Sequence, residues 1–489
     1  MKLSVSQTAP ARARVDLLAV GLHAGRKPGP GSDLLTKGSA ALLEASGFTG
    51  EVGQTAVVAV EGVAARAVVV VGLGDKGKLD ADGMRRVGAA IARQAKRAKT
   101  VATTVLDIVP RGLDAGDAAQ AFAEGVVLGG YQFLKFKSDP KRSTLASVVV
   151  LGGSAKVAAG LAAGATVAGA VCAARDLVNE PAGTQSPAQF AAEAQRVARR
   201  SGLKCTVFSG PQLERLRLAG TIAVGQGSSR SPRFVKLEYA PRGARHTLGF
   251  VGKGVVFDSG GLSLKPSNGM EQMKTDMSGA AAVVSAMSVL AALDVRTRVV
   301  GYIPLVENMP SGTAYRLGDV IRYRNDKTVE VMNTDAEGRL ILADALALAA
   351  ADGVDAMIDL ATLTGACMVA LGNQIAGLMG NHEGWVGQVR ACADRVGEKV
   401  WPLPLPKEYR RLLDSEIADM KNIGGPHGGA LTAGLFLQEF AGDVPWAHLD
   451  IAGPSRAEAD NGFVARGGTG VGVRTLIELA SGFRKPGRA

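Results

Sequence analysis

Four acidic residues and three basic residues lie in short motifs where strands are predicted to end or helices to begin. The acidic residues are Asp258, Asp276, Asp335 and Glu337, and the basic residues are Lys253, Lys265 and Arg339. Carboxylates that lie close together repel one another unless a metal ion, an arginine or a helix amino terminus lies between them. These motifs are therefore the first place to look for chemistry.

The densest motif, Asn333–Leu340, also has a purely structural interpretation. Thr334 and Glu337 have the spacing of a capping box, and Asp335 could serve as an N-cap before the apolar run 341–351. Acidic residues in a first helical turn also complement the helix dipole. This segment alone leaves a capped helix and a metal site equally open.

The other motifs favour a metal site. Asp258 follows a hydrophobic strand and precedes a glycine-rich turn, Asp276 precedes a long apolar helix, and 359–366 is a strand that runs into a glycine turn. Functional sites in open α/β sheets gather at the carboxyl ends of strands. Four carboxylates would balance two divalent cations, and their oxygen ligands suit Mn²⁺, Mg²⁺ or Zn²⁺. The five histidines lie outside these motifs, which weakens a histidine-rich zinc protease interpretation.

Strands alternate with helices along the whole chain, which predicts an α/β fold with two domains. We expect a smaller N-terminal α/β domain at 1–155, a connecting helix at 156–174 and a larger catalytic α/β domain at 175–489 with a mixed central sheet flanked by helices. The predicted elements of the first domain are strands Val15–Val20, Thr55–Val60, Ala67–Gly72, Thr100–Val109 and Ser147–Gly152, and helices Asp82–Lys99 and Ala115–Gly129. Those of the second are strands Cys205–Phe208, Phe234–Tyr239, Thr247–Val251, Arg298–Pro304, Ala356–Leu360 and Ala447–Ile451, helices Gln189–Arg200, Ser278–Leu293, Leu340–Ala351 and Ala430–Phe440, and a hairpin ending in Thr328–Met332.

Composition favours a cytoplasmic protein that does not enter a membrane. The 18 residues Val157–Ala174 carry no charge, but they are mainly small, so we expect a packed helix and not a membrane span. The four cysteines form no C-x-x-C pair, which fits a reducing compartment. No signal peptide is evident at the amino terminus.

Positive charge is concentrated in the first third of the chain. Residues 1–170 contain 21 Lys and Arg against 13 Asp and Glu, a net +8 of the total +11. Six of the basic residues fall on or beside one predicted helix: Arg85, Arg86, Arg93, Lys96, Arg97 and Lys99. A solvated helix face is the usual meaning of such a run, and a surface for nucleic acid or for oligomer contacts is the alternative.

With these motifs in view, residues from about 170 onward resemble the leucyl aminopeptidase (cytosol aminopeptidase) family. The family signature Asn-Thr-Asp-Ala-Glu-Gly-Arg-Leu is intact at 333–340. The matches also include Phe-Asp-Ser-Gly-Gly at 257–261, Met-x-x-Asp-Met at 273–277, Leu-Ala-Thr-Leu-Thr-Gly-Ala at 360–366 and Lys-Asn-Ile-Gly-Gly at 421–425.

The resemblance implies a ligand set for two divalent ions per subunit, Mn²⁺ or Zn²⁺. Asp258 and Glu337 would bridge the ions, Asp335 would complete one site, and Lys253 and Asp276 would complete the other. A lysine binds a metal only as the neutral amine, so the ions must lower the pKa of Lys253.

The resemblance also implies catalytic roles for two cations. Lys265 would polarise the scissile carbonyl, and Arg339 would hold a bicarbonate that shuttles a proton. Two ions make a hydroxide nucleophile available at neutral pH, and the substrate's free α-amine could take a metal position. The motifs also suggest residues that contact the substrate: Met273, Asn333, Thr362, Leu363 and Gly365.

These expectations describe a cytoplasmic aminopeptidase with a preference for leucine-like amino-terminal residues of peptides, assembled as a homohexamer. Two other functions stay open at this point. The basic first domain could bind DNA in an accessory or regulatory role, and a two-metal phosphoester hydrolase could use the same carboxylates.

Overall fold

The computed structural model describes residues 1–487, so Arg488 and Ala489 of the predicted catalytic domain lie outside the described residues. The chain divides into two compact units. The first contains Met1–Cys172 and Glu458–Arg466, and the second contains Ala173–Ala457 and the residues from Gly467 onward. The first boundary falls inside a long helix, and a segment late in the sequence joins the first unit.

The first unit is built on a seven-stranded sheet with helices on both faces. Its strands are β1 (Lys2–Ser6), β2 (Leu17–His23), β3 (Lys27–Pro28), β4 (Thr55–Val58), β5 (Ala67–Gly72), β6 (Thr100–Thr103) and β7 (Ser147–Leu151). Its helices are α1 (Lys37–Ala45), α2 (Ala81–Gln94), α3 (Ala115–Gly129) and the start of α4 (Ala155–Asn179). The strand order is β1-β7-β6-β2-β5-β4, with β3 paired to β2, and only β3 and β4 are antiparallel to their neighbours.

Alternation of side chains along the strands separates two hydrophobic layers in this unit. On β5, Val69 and Val71 pack with α2 and α3, whereas Val68 and Val70 pack on the opposite face with Leu43 of α1. A strand buried on both faces is a continuous apolar run, which is why Ala67–Gly72 was readable from the sequence.

Two predicted elements of the first unit are too long. The strand predicted for Thr100–Val109 ends at Thr103, whose hydroxyl donates to Ala19 O and accepts from Val105 N, so that the chain turns there. The helix predicted for Asp82–Lys99 ends at Gln94. Strand β1 and helix α1 were not predicted.

The basic residues predicted for one helix do not form a free cationic face. Arg85 is buried and its Nε lies 2.7 Å from Glu124 Oε2, and Arg86 pairs with Asp82 at 2.9 Å. Arg93 Nη2 lies 3.9 Å from Asp460 Oδ2. The other three basic residues of the run follow the end of α2. Half of the predicted positive face therefore takes part in ion pairs within the first unit.

The second unit is built on a nine-stranded mixed sheet of order β17-β16-β19-β15-β10-β12-β9-β8, with β11 also paired to β12. Its strands are β8 (Lys204–Phe208), β9 (Arg233–Tyr239), β10 (Thr247–Gly252), β11 (Gly254–Asp258), β12 (Arg298–Asn308), β13 (Val320–Arg322), β14 (Thr328–Glu330), β15 (Ala356–Ala361), β16 (Ala376–Gly380), β17 (Val400–Pro402), β18 (Met420–Lys421), β19 (Trp446–Asp450), β20 (Arg456–Ala457) and β21 (Gly467–Gly468). Its further helices are α5 (Pro187–Ser201), α6 (Pro211–Arg215), α7 (Ala219–Gly225), α8 (Ser267–Met270), α9 (Ser278–Met287), α10 (Gly338–Ala351), α11 (Gly365–Leu371), α12 (Glu383–Val396), α13 (Gly429–Ala441) and α14 (Val473–Ser481). The predicted mixed sheet flanked by helices is confirmed.

Helices cover both faces of the centre of this sheet. Val300 and Tyr302 of β12 pack in a core with α7, α10 and α13. Gly301 points to the opposite face, where a Cβ would meet Met287 Sδ of α9 at 2.6 Å. The parallel strands β10, β12, β15 and β19 all end at the same edge of the sheet, so their following loops meet there.

Two predicted elements of the second unit differ in length. Helix α9 ends at Met287, well before the predicted Leu293, and the Ser288 hydroxyl donates to Ser285 O at that point. Strand β12 runs on from the predicted Pro304 to Asn308. The predicted hairpin forms between β13 and β14, and β18 adds a third, parallel strand beside β14.

Helix α4 is long and apolar enough to cross a membrane by length and composition alone. Half of its most apolar 18-residue window is buried inside the protein, and core helices of soluble proteins meet the same criteria.

Candidate metal centre

Lys253 enters the site through a break in the sheet where only glycines fit. It separates β10 from β11, and its N–H and C=O bond to Leu360 O at 3.0 Å and Ala280 N at 2.9 Å. A Cβ at Gly252 would lie 2.6 Å from Gly279 O, and one at Gly254 would lie 2.3 Å from Pro304 O. Because the flanking residues are glycines, the backbone segments at Gly279 and Pro304 can approach closely on either side of Lys253.

Lys253 is the centre of a group that we call the inner cluster: the buried Lys253, Asp276 and Glu337, and the half-buried Thr362. Lys253 Nζ lies 2.9 Å from Asp276 Oδ1 and 2.8 Å from Glu337 Oε1, and it donates to Thr362 O at 2.9 Å. The Thr362 hydroxyl donates to Asp276 Oδ1 at 2.6 Å. The three charged side chains are at most 6% exposed.

Lys265 is the centre of a second group, the outer cluster: Lys265, Asp258 and Asp335. Lys265 Nζ lies 2.9 Å from Asp258 Oδ2 and also pairs with Asp335 Oδ1. Asp258 Oδ1 accepts hydrogen bonds from Gly260 N and from Asn308 Nδ2, both at 2.8 Å. The Asp335 side chain is 34% exposed, so this group opens towards solvent.

The capping-box interpretation of Asn333–Leu340 is wrong. Helix α10 begins at Gly338, Glu337 occupies the N-cap position, and no side chain caps this end within residues 1–487. Thr334 instead donates to Gly260 O and accepts from Ser263 N at 2.7 Å, which ties its loop to the glycine turn after Asp258. The carboxylates are thus left to face the two lysines.

Burial and crowding shift the carboxylates towards higher pKa. Burial raises the pKa of Asp276 well above its ordinary value, although Lys253 opposes the rise. Burial and the nearby Glu337 raise the pKa of Asp258, and burial and Asp258 raise the pKa of Asp335. Each shift means that the site favours additional positive charge.

The pKa values of the two lysines are raised, whereas burial of an isolated amine would lower its pKa. Burial alone would lower the pKa of Lys253, but Asp276 and Glu337 outweigh burial and raise it. The pKa of Lys265 is raised in the same way, by Asp258 and Asp335. The low pKa expected for Lys253 thus depends on a neighbouring dication, because the protein's own groups act in the other direction.

The residues present fit divalent metal ions. Asp276 Oδ2 and Glu337 Oε2 are buried and have no hydrogen-bond partner among residues 1–487. Asp258, Asp335 and Glu337 each offer an oxygen, and these oxygens lie within 4.8 Å of one another. Buried carboxylate oxygens are normally hydrogen-bonded, so buried ones without a partner are suited to bind a hard cation.

Arg339, in the first turn of α10, lies beside this centre. Its Nη1 donates to Asn422 O at 2.8 Å, and its Nε is buried without a hydrogen-bond partner among the described residues. Burial lowers the pKa of Arg339 to about 10, so the guanidinium stays protonated at neutral pH.

The five residues predicted to contact substrate fall into three places. Thr362 and Leu363 follow β15, Gly365 begins α11, and Leu363 N donates to Asp450 Oδ1 at 3.2 Å. Met273 begins the short turn Met273–Thr275 before Asp276. Asn333 has an internal contact, because its Oδ1 accepts from Asp335 N at 2.8 Å.

Two buried residues with direct contacts to these motifs were not recognised from the sequence. Asn308 Nδ2 bonds to Asp258 and also to Thr334 O at 3.0 Å. Asp450 accepts from the Thr364 hydroxyl at 2.7 Å as well as from Leu363 N. Each is the last residue of its strand at the sheet edge that holds the site, and this position was the available signal.

Comparison with family models agrees with this geometry. Residues 172–477 match the catalytic domain of the cytosol aminopeptidase family, and residues 19–140 match the N-terminal domain of the same family. The chain belongs to the cytosol aminopeptidase family. It is therefore an aminopeptidase of a metal-dependent hydrolase family, and the family resemblance drawn from the motifs is confirmed.

Relatives match over almost their whole length. A probable cytosol aminopeptidase of Streptomyces avermitilis is 44% identical over 98% of both chains, and one of Alkaliphilus metalliredigens is 43% identical over 91% of both. Among solved structures, the bottromycin maturation enzyme BotP in complex with Mn gives a TM-score of 0.88 at 41% identity, covering 96% of this chain and 99% of its own. A mutant of tomato leucine aminopeptidase gives a TM-score of 0.88 at 33% identity. The match covers 98% of this chain and 96% of the tomato protein.

Proposed function

We propose that this cytosol aminopeptidase family member removes amino-terminal residues from peptides in the cytoplasm, with a preference for leucine-like residues. The observation that carries the proposal is the pair of lysine–carboxylate clusters with buried carboxylate oxygens that have no partner among residues 1–487. Membership of the family, whose name indicates a cytosolic enzyme, supports both the reaction class and the compartment.

The proposed cofactors are two divalent ions per subunit, Mn²⁺ or Zn²⁺. Asp258 and Glu337 would be shared by both ions, Asp335 would serve one, and Lys253 and Asp276 would serve the other. Hard oxygen donors dominate this set, and a related structure contains Mn. When bound, such ions supply Lewis acidity and a water-derived nucleophile at neutral pH.

Two cations of the chain itself have separate proposed roles. Lys265 stays protonated, because Asp258 and Asp335 raise its pKa, and its ammonium group would polarise the scissile carbonyl and stabilise negative charge on that oxygen. Arg339 carries a charge beside the carboxylates, and its Nε has no hydrogen-bond partner in the described part of the chain, so it would bind a small anion such as bicarbonate, which would accept and return a proton.

Substrate contacts and assembly complete the proposal. Thr362 of the inner cluster, Leu363 and Gly365 lie between the end of β15 and the start of α11. Met273 and Asn333 lie close to Asp276 and Asp335 in sequence, so these five residues would line the peptide site. A homohexamer is the assembly that we expect from the family. The ion pairs of α2 leave the alternative of DNA binding without support.

The test is hydrolysis of leucine p-nitroanilide by the purified, Mn²⁺-loaded protein. Glu337→Ala should lower turnover by at least about 10³-fold, since metal centres contribute several kcal/mol to such reactions. Glu383→Ala, at an exposed position of α12, is the matched control and should retain parental activity. N-acetyl-leucine p-nitroanilide should resist cleavage, and alanine, lysine and aspartate p-nitroanilides should react more slowly than the leucine compound.

Near-parental activity of Glu337→Ala would overturn the assignment of the centre. Equal cleavage of the acetylated substrate would show that the enzyme does not require a free amino terminus. Faster cleavage of another residue would replace leucine in the proposal.

A further inference from the structure

Asn422 lies in the motif Lys421-Asn-Ile-Gly-Gly425, to which neither the metal centre nor the proposed catalytic groups give a role. We propose that Asn422 is a positioning residue that holds the metal-ligand loop, residues 332–339, in its functional shape. The inference rests on the proposed function, because the loop carries Asp335, Glu337 and Arg339. Asn422 itself is fully buried.

The side chain of Asn422 uses both of its polar atoms on this one loop. Its Oδ1 accepts from Met332 N at 2.8 Å and from Asn333 N at 3.3 Å. Its Nδ2 donates to Asn333 O at 2.7 Å and to Ala336 O at 3.4 Å. An amide offers two donors and two acceptor lone pairs, so these contacts use its full capacity.

The backbone of Asn422 also forms hydrogen bonds to residues on both sides of these contacts in the sequence. Asn422 N donates to Glu330 O at 3.0 Å, at the end of β14, and Asn422 O accepts from Arg339 Nη1 at 2.8 Å, in the first turn of α10. One residue therefore contacts the loop before, between and after its two carboxylates.

The loop needs such a partner because it has no regular structure before α10 begins at Gly338. Residues 331–337 lie between β14 and α10 and belong to neither a helix nor a strand in the described chain. Strand β18 places Asn422 here, because Met420 and Lys421 pair in parallel with Val329 and Glu330. Pairing of β18 with β14 thus fixes the position from which the Asn422 side chain contacts the metal-ligand loop.

Asparagine is also the residue type that the local charge requires. Aspartate would keep the acceptor for Met332 N, but it would lose both donors and add a negative charge beside a loop with two carboxylates. Alanine would leave backbone groups of the loop unpaired in a partly buried place. A neutral side chain with two donors and two acceptors meets both demands.

The chain offers a matched control in Asn381. Its Oδ1 accepts from Trp446 N at 2.7 Å, and its Nδ2 donates to Val444 O at 3.0 Å, so it ties a loop in the same unit with the same chemistry. Trp446 begins β19, whereas the site lies at the other end of that strand, where Asp450 contacts Leu363.

The experiment compares Asn422→Ala with Asn381→Ala in three measurements: steady-state kinetics with leucine p-nitroanilide, Mn²⁺ affinity by calorimetry, and amide hydrogen exchange of the metal-free protein. In Asn422→Ala we expect kcat and Mn²⁺ affinity to fall about 10- to 100-fold, as for residues that orient metal ligands, with KM changed less than about threefold. The amides of Met332 and Asn333 should exchange faster. Asn381→Ala should keep kcat and Mn²⁺ affinity within about twofold of the parent.

The inference is overturned if Asn422→Ala keeps parental kcat, Mn²⁺ affinity and amide protection, or if Asn381→Ala loses as much of each. Should Asn422→Ala fail to fold, Asn422→Ser, which keeps the backbone contacts and a small polar group, undergoes the same three measurements. If the parent protein cleaves no aminoacyl substrate, the proposed function fails. The Mn²⁺ affinity and amide exchange then still decide the role of Asn422.

Discussion

The inner and outer clusters each contain a lysine between two carboxylates, but they differ in their contact with solvent. In the inner cluster the side chains of Lys253, Asp276 and Glu337 are 3%, 6% and 2% exposed. In the outer cluster Lys265 is 16% exposed and Asp335 is 34% exposed.

The clusters also differ in how their carboxylates are satisfied. Asp258 keeps two hydrogen-bond donors besides Lys265, namely Gly260 N and Asn308 Nδ2. In the inner cluster Asp276 Oδ1 keeps the Thr362 hydroxyl as a donor, but Glu337 Oε2 and Asp276 Oδ2 have no partner among residues 1–487. The inner carboxylates therefore depend mainly on Lys253 or on a bound cation, whereas Asp258 keeps other partners when Lys265 contacts a substrate.

The largest expected effect is on stability in the absence of metal. Lys253→Met should lower the free energy of unfolding of the metal-free protein by about 3–5 kcal/mol, because it leaves two buried carboxylates without their cation. Lys265→Met should lower it by about 1–2 kcal/mol, because solvent and two remaining donors compensate. Urea denaturation followed by tryptophan fluorescence reports on the larger unit, since Trp385, Trp401 and Trp446 all lie there.

Equal losses for the two variants would show that solvent contact does not distinguish the clusters. A larger loss of unfolding free energy for Lys265→Met would show that the outer cluster contributes more to stability than the inner cluster.

A smaller effect is expected from the hydroxyl groups that support each cluster. Thr362→Val removes the donor to Asp276 Oδ1 and should lower the unfolding free energy by about 1.5–3 kcal/mol, as for a hydrogen bond to a charged group. Ser263→Ala removes the acceptor for Thr334 N, next to Asp335 of the outer cluster, and should lower the unfolding free energy by about 0.5–1 kcal/mol. The same urea experiment measures both variants, and a larger loss for Ser263→Ala would contradict the comparison.

The smallest expected effect is on salt dependence. Raising NaCl from about 0.1 M to about 1 M shortens the screening length from about 10 Å to about 3 Å. The stability difference between Lys265→Met and the parent should shrink by about 0.3–0.5 kcal/mol, because this cluster is open to ions. The stability difference between Lys253→Met and the parent should stay constant. If both differences shrink equally with NaCl, the inner cluster is not shielded from solvent ions.

Local sequence patterns predicted those helices and strands whose own hydrophobic pattern is sufficient to identify them. The valine run of β5 and the apolar run of α10 were readable because burial on all sides leaves a continuous hydrophobic pattern. The ends of elements were less readable. Thr103 ends its strand through contacts with Ala19 and Val105, and the first of these residues is far away in sequence.

The site shows the same division between local and distant information. The carboxylates and lysines could be picked out because each lies at the end of a predicted element. The capping box was misjudged because the hydroxyl of Thr334 has its partners, Gly260 and Ser263, more than 70 residues away. Asn308 was missed because its strand was predicted to stop at Pro304.

The most direct test of the account is the number of Mn²⁺ ions bound per chain, measured by equilibrium dialysis and elemental analysis for the parent, Lys253→Met and Lys265→Met. We expect two ions for the parent, at most one for Lys253→Met, and two for Lys265→Met, whose turnover of leucine p-nitroanilide should nevertheless fall by about 10²–10³-fold. Loss of an ion from Lys265→Met, or two ions in Lys253→Met, would contradict the division into a metal-binding lysine and a catalytic lysine.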